Sequence, residues 1–213
     1  SLAAGVQLRY FAILGGVVVF SLPLLWKFVM DDYQKMRFIA LFNLDDPSVQ
    51  MDAGYQQYQG RISIGSGKLN GQGLFNGSRV ASNSVPFQHS DYIFSVAGEE
   101  LGFVGCSLII LLLLLLMVKI LHVAHSSRDD LGRFICFGYF GIIALQSVSN
   151  IGMCLALLPA MGVTLPYFSA GGSSAACMYF GFGLIQSVYM RRKEIDGLRL
   201  KRKEPLRFLN KKI

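Results

Sequence analysis

A short polar segment of the sequence ends in an aspartate that is suited to act as a catalytic base. The segment reads Gln88-His89-Ser90-Asp91, and an apolar run follows it directly from Tyr92. A carboxylate at such a boundary can take a proton from a hydroxyl group as that hydroxyl attacks an electrophilic carbon. The same aspartate can instead cap the helix that follows, because Asp is a preferred N-cap residue. The two roles are compatible, so Asp91 is the first candidate for chemistry.

Basic residues lie around a glycine-rich run upstream of Asp91. The basic residues are Arg61, Lys68 and Arg79, and the run contains Gly65, Gly67, Gly71, Gly73 and Gly77. Arginine and lysine suit phosphate oxygens, and solvated surface charge is the alternative. Glycines at this spacing permit unusual backbone angles and the close approach of a ligand. A nucleotide-binding P-loop is excluded, because Lys68 is followed by Leu69 rather than by Ser or Thr and no strand precedes the run.

The remaining acidic residues and the cysteines favour structural roles. Glu99 and Glu100 begin an apolar run, where the dipole of a helix favours negative charge. The four cysteines lie in apolar stretches, without a CxxC pair or a histidine at ligand spacing. This pattern indicates buried thiols rather than a disulfide framework or a zinc site. The sequence therefore predicts no metal site built from protein ligands.

The net charge of +7 is concentrated near the C-terminus. Residues 191–213 hold ten Lys and Arg residues against three acidic residues, which accounts for the whole excess. A basic segment that adjoins a hydrophobic span is typical of a cytoplasmic anchor with some attraction to anionic membrane lipids. Nucleic acid is therefore not expected as a partner.

The composition indicates an integral membrane protein. The 213 residues are 53% hydrophobic and 15% charged, whereas soluble domains carry about 25% charge. Stretches long enough to cross a bilayer predict an all-α polytopic protein with four transmembrane helices, at about residues 10–30, 99–121, 134–157 and 167–190. Lys and Arg in the 119–133 loop and in 191–213 put both segments in the cytoplasm. The 31–98 loop is then extracellular, and its residues 55–64 are predicted to form an interfacial helix.

Three blocks of the sequence resemble motifs of the SEDS family (shape, elongation, division and sporulation; RodA, FtsW and SpoVE) of peptidoglycan glycosyltransferases. Residues 65–78, GSGKLNGQGLFNGS, are similar to GSGGLxGKGxxxGT, and residues 85–94, VPFQHSDYIF, to LPExHTDFIF. Residues 150–174 contain NIGM, LP and GVTLPYFSAGGSS, as in NIGM…LP…G(I/V)xLPFxSxGGSS. The resemblance implies the last four helices of a ten-helix fold. Residues 1–190 would then be part of a larger membrane domain, and the piece alone is expected to be inactive.

The resemblance implies an enzyme that polymerises lipid II into glycan strands at the outer face of the bacterial plasma membrane, for cell elongation or division. Undecaprenyl diphosphate is the leaving group, so no nucleotide is needed. Asp91, the aspartate of the family's HTD motif, is then the catalytic residue. The implied partner is a class B penicillin-binding protein acting as transpeptidase, and a divalent cation, Mg²⁺ or Mn²⁺, would assist the diphosphate. The residues expected to bind the substrate are His89, Lys68, Arg61, Arg79, Gln88 and Ser90.

The departures from the family motifs include three polar positions near the candidate site. Phe87 stands where the motif has glutamate, Gln72 where it has lysine, and Ser90 where it has threonine. These departures leave two alternatives to a transferase: a transporter of the lipid-linked precursor, and a non-catalytic scaffold that activates a partner cell-wall synthase. A transporter would need polar groups at mid-membrane depth, and the predicted spans hold few of them.

Overall fold

The computed structural model describes residues 8–43, 46–50, 54–82, 89–127 and 129–209, and within these ranges the regular structure is entirely helical. The helices are α1 (Leu8–Phe28), α2 (Asp32–Phe42), α3 (Pro47–Gln50), α4 (Tyr55–Ser66), α5 (Ser78–Ala81), α6 (Ile93–Ser126), α7 (Asp130–Cys154) and α8 (Gly172–Leu209). The predicted all-α class is confirmed for this part of the chain. Within the same ranges, α6 and α7 are the two helices long and apolar enough to cross a membrane, and α1 contains a shorter apolar stretch, Gly15–Phe28.

Helices α6 and α7 form an antiparallel hairpin that carries the core. At one end of the hairpin, Phe94 near the start of α6 belongs to the same buried cluster as Met153 near the end of α7. At the other end, Ile120 of α6 and Ile143 of α7 share a second buried cluster with Met178 of α8. The first cluster includes Tyr92, the residue after Asp91, so the packed end of the hairpin supports the candidate residues.

The observed helices differ from the predicted spans at their ends. Helix α6 begins at Ile93, within the stretch predicted as loop. Helix α7 ends at Cys154 because Ala156 adopts a positive φ of 56°. Helix α8 begins at Gly172 rather than at 167, because Tyr167 also has a positive φ, 62°, and lies in a turn. From there α8 continues through Leu209, so the basic segment predicted as a tail extends the last helix.

Helix α4 covers the helix predicted over residues 55–64 and packs against α6 through small and polar residues. Its buried residues are Gln57, Gly60 and Ser63. A Cβ atom added at Gly60 would lie 2.9 Å from Cδ1 of Tyr92, so only glycine allows this approach. The Gln57 side chain donates from Nε2 to the carbonyl of Leu158 (2.6 Å), which ties α4 to the segment after α7.

Helix α6 is broken at Gly102. Its φ of 66° and ψ of −163° lie outside the helical region, in a conformation that glycine tolerates. In a continuous helix, the N–H groups of Phe103 and Val104 would donate to carbonyls four residues earlier. They donate instead to the carbonyl oxygens of Lys68 (2.9 Å) and Leu69 (3.2 Å). The glycine-rich segment therefore takes the place of the missing helical partners.

The same segment satisfies the two carbonyls that the break frees. The Glu99 carbonyl accepts from the N–H of Gln72 (2.9 Å), and the Glu100 carbonyl accepts from the N–H of Gly73 (3.0 Å). We call this exchange of four backbone hydrogen bonds, between residues 68–73 and 99–104, the clasp. A Cβ atom at Gly71, where φ is 77°, would overlap the Glu100 carbonyl oxygen. The sequence suggested that glycines of this run allow the close approach of a ligand. In the structure, the group that approaches Gly71 closely is the backbone of α6.

Candidate active site

Asp91 is half-buried just before α6, where it lines a small cavity. The cavity has a volume of about 90 Å³ and is lined by Arg37, Gln56, Asp91, Tyr92, Met153, Ala160, Met161 and Gly162. These residues come from α2, α4, the residues before α6, the end of α7 and the segment between α7 and α8. Five parts of the chain therefore meet at the candidate base.

The main chain of Asp91 is fixed by the side chain of Asn150. Asn150 is fully buried in α7, and its Nδ2 donates to the carbonyl oxygens of Asp91 (2.7 Å) and Val163 (2.6 Å). The Cys154 thiol, one turn further along α7, also points to the Asp91 carbonyl, with 3.7 Å between sulfur and oxygen. These bonds hold the backbone without using the carboxylate. The carboxylate of Asp91 faces Gly162, where an added Cβ atom would lie 3.5 Å from Oδ2. No side chain therefore stands opposite the carboxylate at this position.

Among the described residues that line the cavity, Asp91 carries the carboxylate, which is the group suited to act as a base. Tyr92 is the other weak acid there, but burial raises the pKa of its phenol, and the nearby Cys154 thiol and Asp91 carboxylate raise it further against the effect of Arg37. The phenol therefore stays protonated. Arginine stays charged, and the other lining residues carry amide, thioether or apolar groups.

Arg37 brings a positive charge to the same cavity, and the sequence analysis missed it. Its Nη1 donates to the carbonyl of Ala160 (2.8 Å) and its Nη2 to the hydroxyl of Tyr33 (2.8 Å). These bonds use two of the five N–H groups of the guanidinium. The sequence does carry a signal, because the four-residue spacing of Tyr33 and Arg37 places both on one face of a helix.

A larger groove adjoins the cavity at Arg37. It has a volume of about 480 Å³ and is lined by Met30, Tyr33, Gln34, Arg37, Phe38, Pro159, Ala160 and Met161. Arg37, Ala160 and Met161 line both spaces. Because the groove is mainly apolar, the arrangement suits an amphipathic anion, with its hydrocarbon in the groove and its charge at Arg37.

The polar residues next to Asp91 in the sequence lie in different surroundings. His89 is exposed, and its carbonyl oxygen accepts from the N–H of Ala170 (2.9 Å) in the segment before α8. Ser90 is half-buried. Gln88 lies outside the described residues, as does Phe87. The expectation that His89, Ser90 and Gln88 bind substrate stays a prediction.

The three basic residues predicted to bind substrate lie outside both the cavity and the groove. Arg61 is exposed on α4, and Lys68 is exposed on the clasp. Arg79 is half-buried, and its guanidinium is hydrogen-bonded to the Oε1 of Gln59. Among the described residues, the basic side chain that lines the cavity with Asp91 is that of Arg37. Substrate binding by Arg61, Lys68 and Arg79 stays a prediction.

Glu99 and Gln72 hold the glycine-rich loop in place. Glu99 is fully buried, and its Oε1 accepts from the backbone N–H of Arg79 (2.8 Å). This role is structural, but the expected reason for it is wrong, because Glu99 lies six residues after the start of α6, which has no acidic residue in its first turn. The Gln72 Nε2 donates to the hydroxyl of Ser66 (3.0 Å), and its Oε1 accepts from the N–H of Ser78 (3.2 Å). The lysine of the family motif cannot accept a hydrogen bond. The departure at Gln72 therefore has a structural use in this chain.

Comparison with known proteins places this site within a family. The model of the cell cycle protein family FtsW/RodA/SpoVE matches residues 1–194. The chain belongs to this family. The SEDS resemblance read from the three sequence blocks is thereby confirmed, and the two long apolar helices are those of a family of membrane proteins.

Members of the family that resemble the chain are named as glycosyltransferases. The chain is 37% identical over 193 residues to the peptidoglycan glycosyltransferase MrdB of Escherichia coli (strain K12), covering 91% of this chain and 52% of that protein. It is also 37% identical over 193 residues to the probable peptidoglycan glycosyltransferase FtsW of Geobacter metallireducens, covering 90% of this chain and 50% of that protein. The chain thus spans about half the length of the curated relatives it matches.

A solved structure of a peptidoglycan synthase complex, described as coordinating polymerization and crosslinking, contains a chain of similar fold. The TM-score is 0.65 at 26% sequence identity, and the match covers 87% of this chain and 50% of that chain. The helical arrangement described above is therefore that of the FtsW/RodA/SpoVE family over most of the sequence.

Proposed function

We propose that the protein is a peptidoglycan glycosyltransferase that polymerises lipid II into glycan strands, for cell elongation or division. The observation that carries the proposal is the Asp91 carboxylate, whose backbone is fixed by Asn150 beside the charged Arg37. The names of the relatives support the same activity. Lipid II combines a diphosphate with a long isoprenoid chain, which suits the apolar groove that meets the cavity at Arg37.

Asp91 acts as the general base of the transfer. An acceptor hydroxyl attacks the anomeric carbon of the donor sugar, and its proton passes to the carboxylate as the new C–O bond forms. The bond between the anomeric carbon and the diphosphate oxygen breaks, and the diphosphate leaves with the electron pair. Arg37 stabilises the charge that develops on the leaving group.

A divalent cation, Mg²⁺ or Mn²⁺, would enter with the diphosphate. Mg²⁺ is commonly held by one or two carboxylates together with substrate phosphates. Among the described residues, no three His, Cys, Asp or Glu side chains are placed to hold a metal ion, and Asp91 is the described carboxylate that lines the cavity. The residues therefore suit a cation bound mainly through the substrate.

In the proposed topology, the protein crosses the bacterial plasma membrane several times, with α1, α6, α7 and the first part of α8 as the last four of ten spanning helices. The segment 31–98, which contains Asp91, lies outside, and the basic segment 191–213 is cytoplasmic. The Lys and Arg residues of segment 119–133, which holds the end of α6 and the start of α7, and those of 191–213 support this orientation. The coordination of polymerization and crosslinking in the solved complex supports a class B penicillin-binding protein as the partner transpeptidase.

The test is glycan-chain formation from labelled lipid II by the protein at its full natural length, together with its partner. A ladder of chains on a gel supports the transferase. Movement of the precursor across vesicle bilayers without chain formation would instead identify a transporter. Stimulation of a separate synthase, with no chains made by the protein itself, would identify a scaffold.

Replacing Arg37 by alanine is expected to lower the rate of polymerisation about 10- to 100-fold. The change removes charge-assisted hydrogen bonds to the diphosphate, which contribute about 1.5–3 kcal/mol, and about 1.4 kcal/mol corresponds to a tenfold change in rate. Arg37→Lys should retain part of the activity, because it keeps the charge but loses the planar fork. Steady-state kinetics with labelled lipid II measure both variants.

The matched comparison for Arg37→Ala is Arg61→Ala. Arg61 is exposed on α4 and lies outside the cavity and the groove. A greater loss of activity in Arg61→Ala than in Arg37→Ala, with both proteins folded, would assign the diphosphate to the residue predicted from the sequence and contradict the role of Arg37.

A further inference from the structure

We propose that the tip of the glycine-rich loop inserts into the surface of a phospholipid bilayer. The tip consists of Leu69, Leu74 and Phe75, whose side chains are 67%, 62% and 90% exposed. The proposed transfer reaction uses none of these three side chains, so their exposure calls for a separate account.

The clasp fixes the position of the tip along α6. The carbonyl of Leu69 accepts from the N–H of Val104, and the carbonyl of Lys68 accepts from the N–H of Phe103. Phe103 and Val104 are themselves 66% and 61% exposed, and they begin an uncharged stretch that continues to Val118. The tip therefore adjoins the end of the exposed apolar surface of a helix that can cross a membrane, which is the level of the lipid headgroups.

The backbone of Phe75 gives an independent reason for an apolar partner. Its φ is 61°, and a positive φ is an outlier for a bulky side chain, with a cost in free energy. With 90% of the side chain exposed, little packing within the described chain offsets that cost. Transfer of the Phe75 ring from water into an apolar phase is favourable and would offset the cost of the backbone conformation.

The charge pattern of the loop favours a phospholipid surface as that phase. Residues 65–77 contain one basic residue, Lys68, and no acidic residue. Lys68 is exposed and directly precedes Leu69. A lysine beside an apolar tip can extend its ammonium group to lipid phosphates while its hydrocarbon stem follows the apolar surface.

Spin labelling of the full-length protein in vesicles tests the proposal without reference to catalysis. Phe75→Cys carries the nitroxide, in a protein whose other accessible cysteines, such as the exposed Cys177, are replaced by serine. The vesicles contain phosphatidylethanolamine and phosphatidylglycerol. Accessibility is measured to oxygen, which partitions into lipid, and to a nickel chelate, which stays in water. Val104→Cys is the reference for lipid, and Arg61→Cys is the reference for water.

The expected result is an oxygen-to-nickel ratio at Phe75→Cys close to that at Val104→Cys and several-fold above that at Arg61→Cys. Nickel accessibility equal to that at Arg61→Cys would place the tip in water and overturn the proposal. Low accessibility to both reagents would show that protein covers the tip, and it would overturn the proposal as well. Leu74→Cys gives the same readout if Phe75→Cys does not fold.

Discussion

Asp91→Asn in the full-length protein should reduce glycan-chain formation by at least about 100-fold, as expected when a positioned general base is lost. The amide has the shape of the carboxylate but cannot accept the proton of the attacking hydroxyl. The fold should be unaffected, because Asn150 and Cys154 bind the main-chain carbonyl of Asp91 and not its side chain. The gel assay with labelled lipid II measures the loss.

Asp91→Glu is the comparison that separates charge from position. It keeps the carboxylate but moves it by one methylene group, in a cavity of only about 90 Å³. Because a displacement of about 1 Å can cost a factor of about 100 in rate, Asp91→Glu should also be impaired while melting as the wild type does. Normal polymerisation by a well-folded Asp91→Asn protein would rule out Asp91 as the base.

Gly71→Ala should destabilise the protein by about 3 kcal/mol or more. The new Cβ atom would overlap the carbonyl oxygen of Glu100, and alanine is also strained at a φ of 77°. The segment must then move away from α6, which breaks the bonds from Gln72 to Glu99 and from Gly73 to Glu100. Each buried backbone group left without a partner costs about 1–3 kcal/mol. Thermal unfolding of the purified protein in detergent measures the effect.

Gly65→Ala is the matched control for this prediction. Gly65 lies six residues earlier in the same run, at the end of α4, and a Cβ atom there would meet nothing within 4 Å. Alanine is favoured over glycine in a helix by up to about 1 kcal/mol, so Gly65→Ala should melt at or slightly above the wild-type temperature. Equal melting temperatures for the two variants would show that the clasp does not form as described.

The sequence was sufficient for the helical class and the family, and the role of Asp91 as the base stays a prediction. Runs of apolar residues identify α6 and α7 because the pattern is local. The aspartate stands out because a polar segment meets an apolar run at one point, and the three family blocks flank it in order. The helix over 55–64 was also predicted from the sequence. Its packing face was not, because Gln57, Gly60 and Ser63 do not form a hydrophobic pattern.

The clasp and the position of Arg37 could not be predicted from the sequence, for a physical reason. The clasp joins residues 68–73 to residues 99–104 through main-chain atoms, and every residue carries those atoms, so no side-chain pattern marks the contact. Arg37 reaches the cavity because α2 folds back onto the segment after α7, more than 120 residues away, where it meets Ala160. The four-residue spacing of Tyr33 and Arg37 places both on one face of a helix, but it does not predict which part of the chain packs against that face.

The clasp also imposes an order on the biogenesis of the protein. Residues 68–73 are synthesised before residues 99–104, so the loop is available when the break at Gly102 emerges from the ribosome. Until the loop docks, four backbone groups lack helical partners, and hydrocarbon cannot hydrogen-bond to them. The outer end of α6 should therefore remain at the aqueous mouth of the insertion machinery until docking is complete. Only the uncharged stretch after Gly102 is free to partition into lipid beforehand.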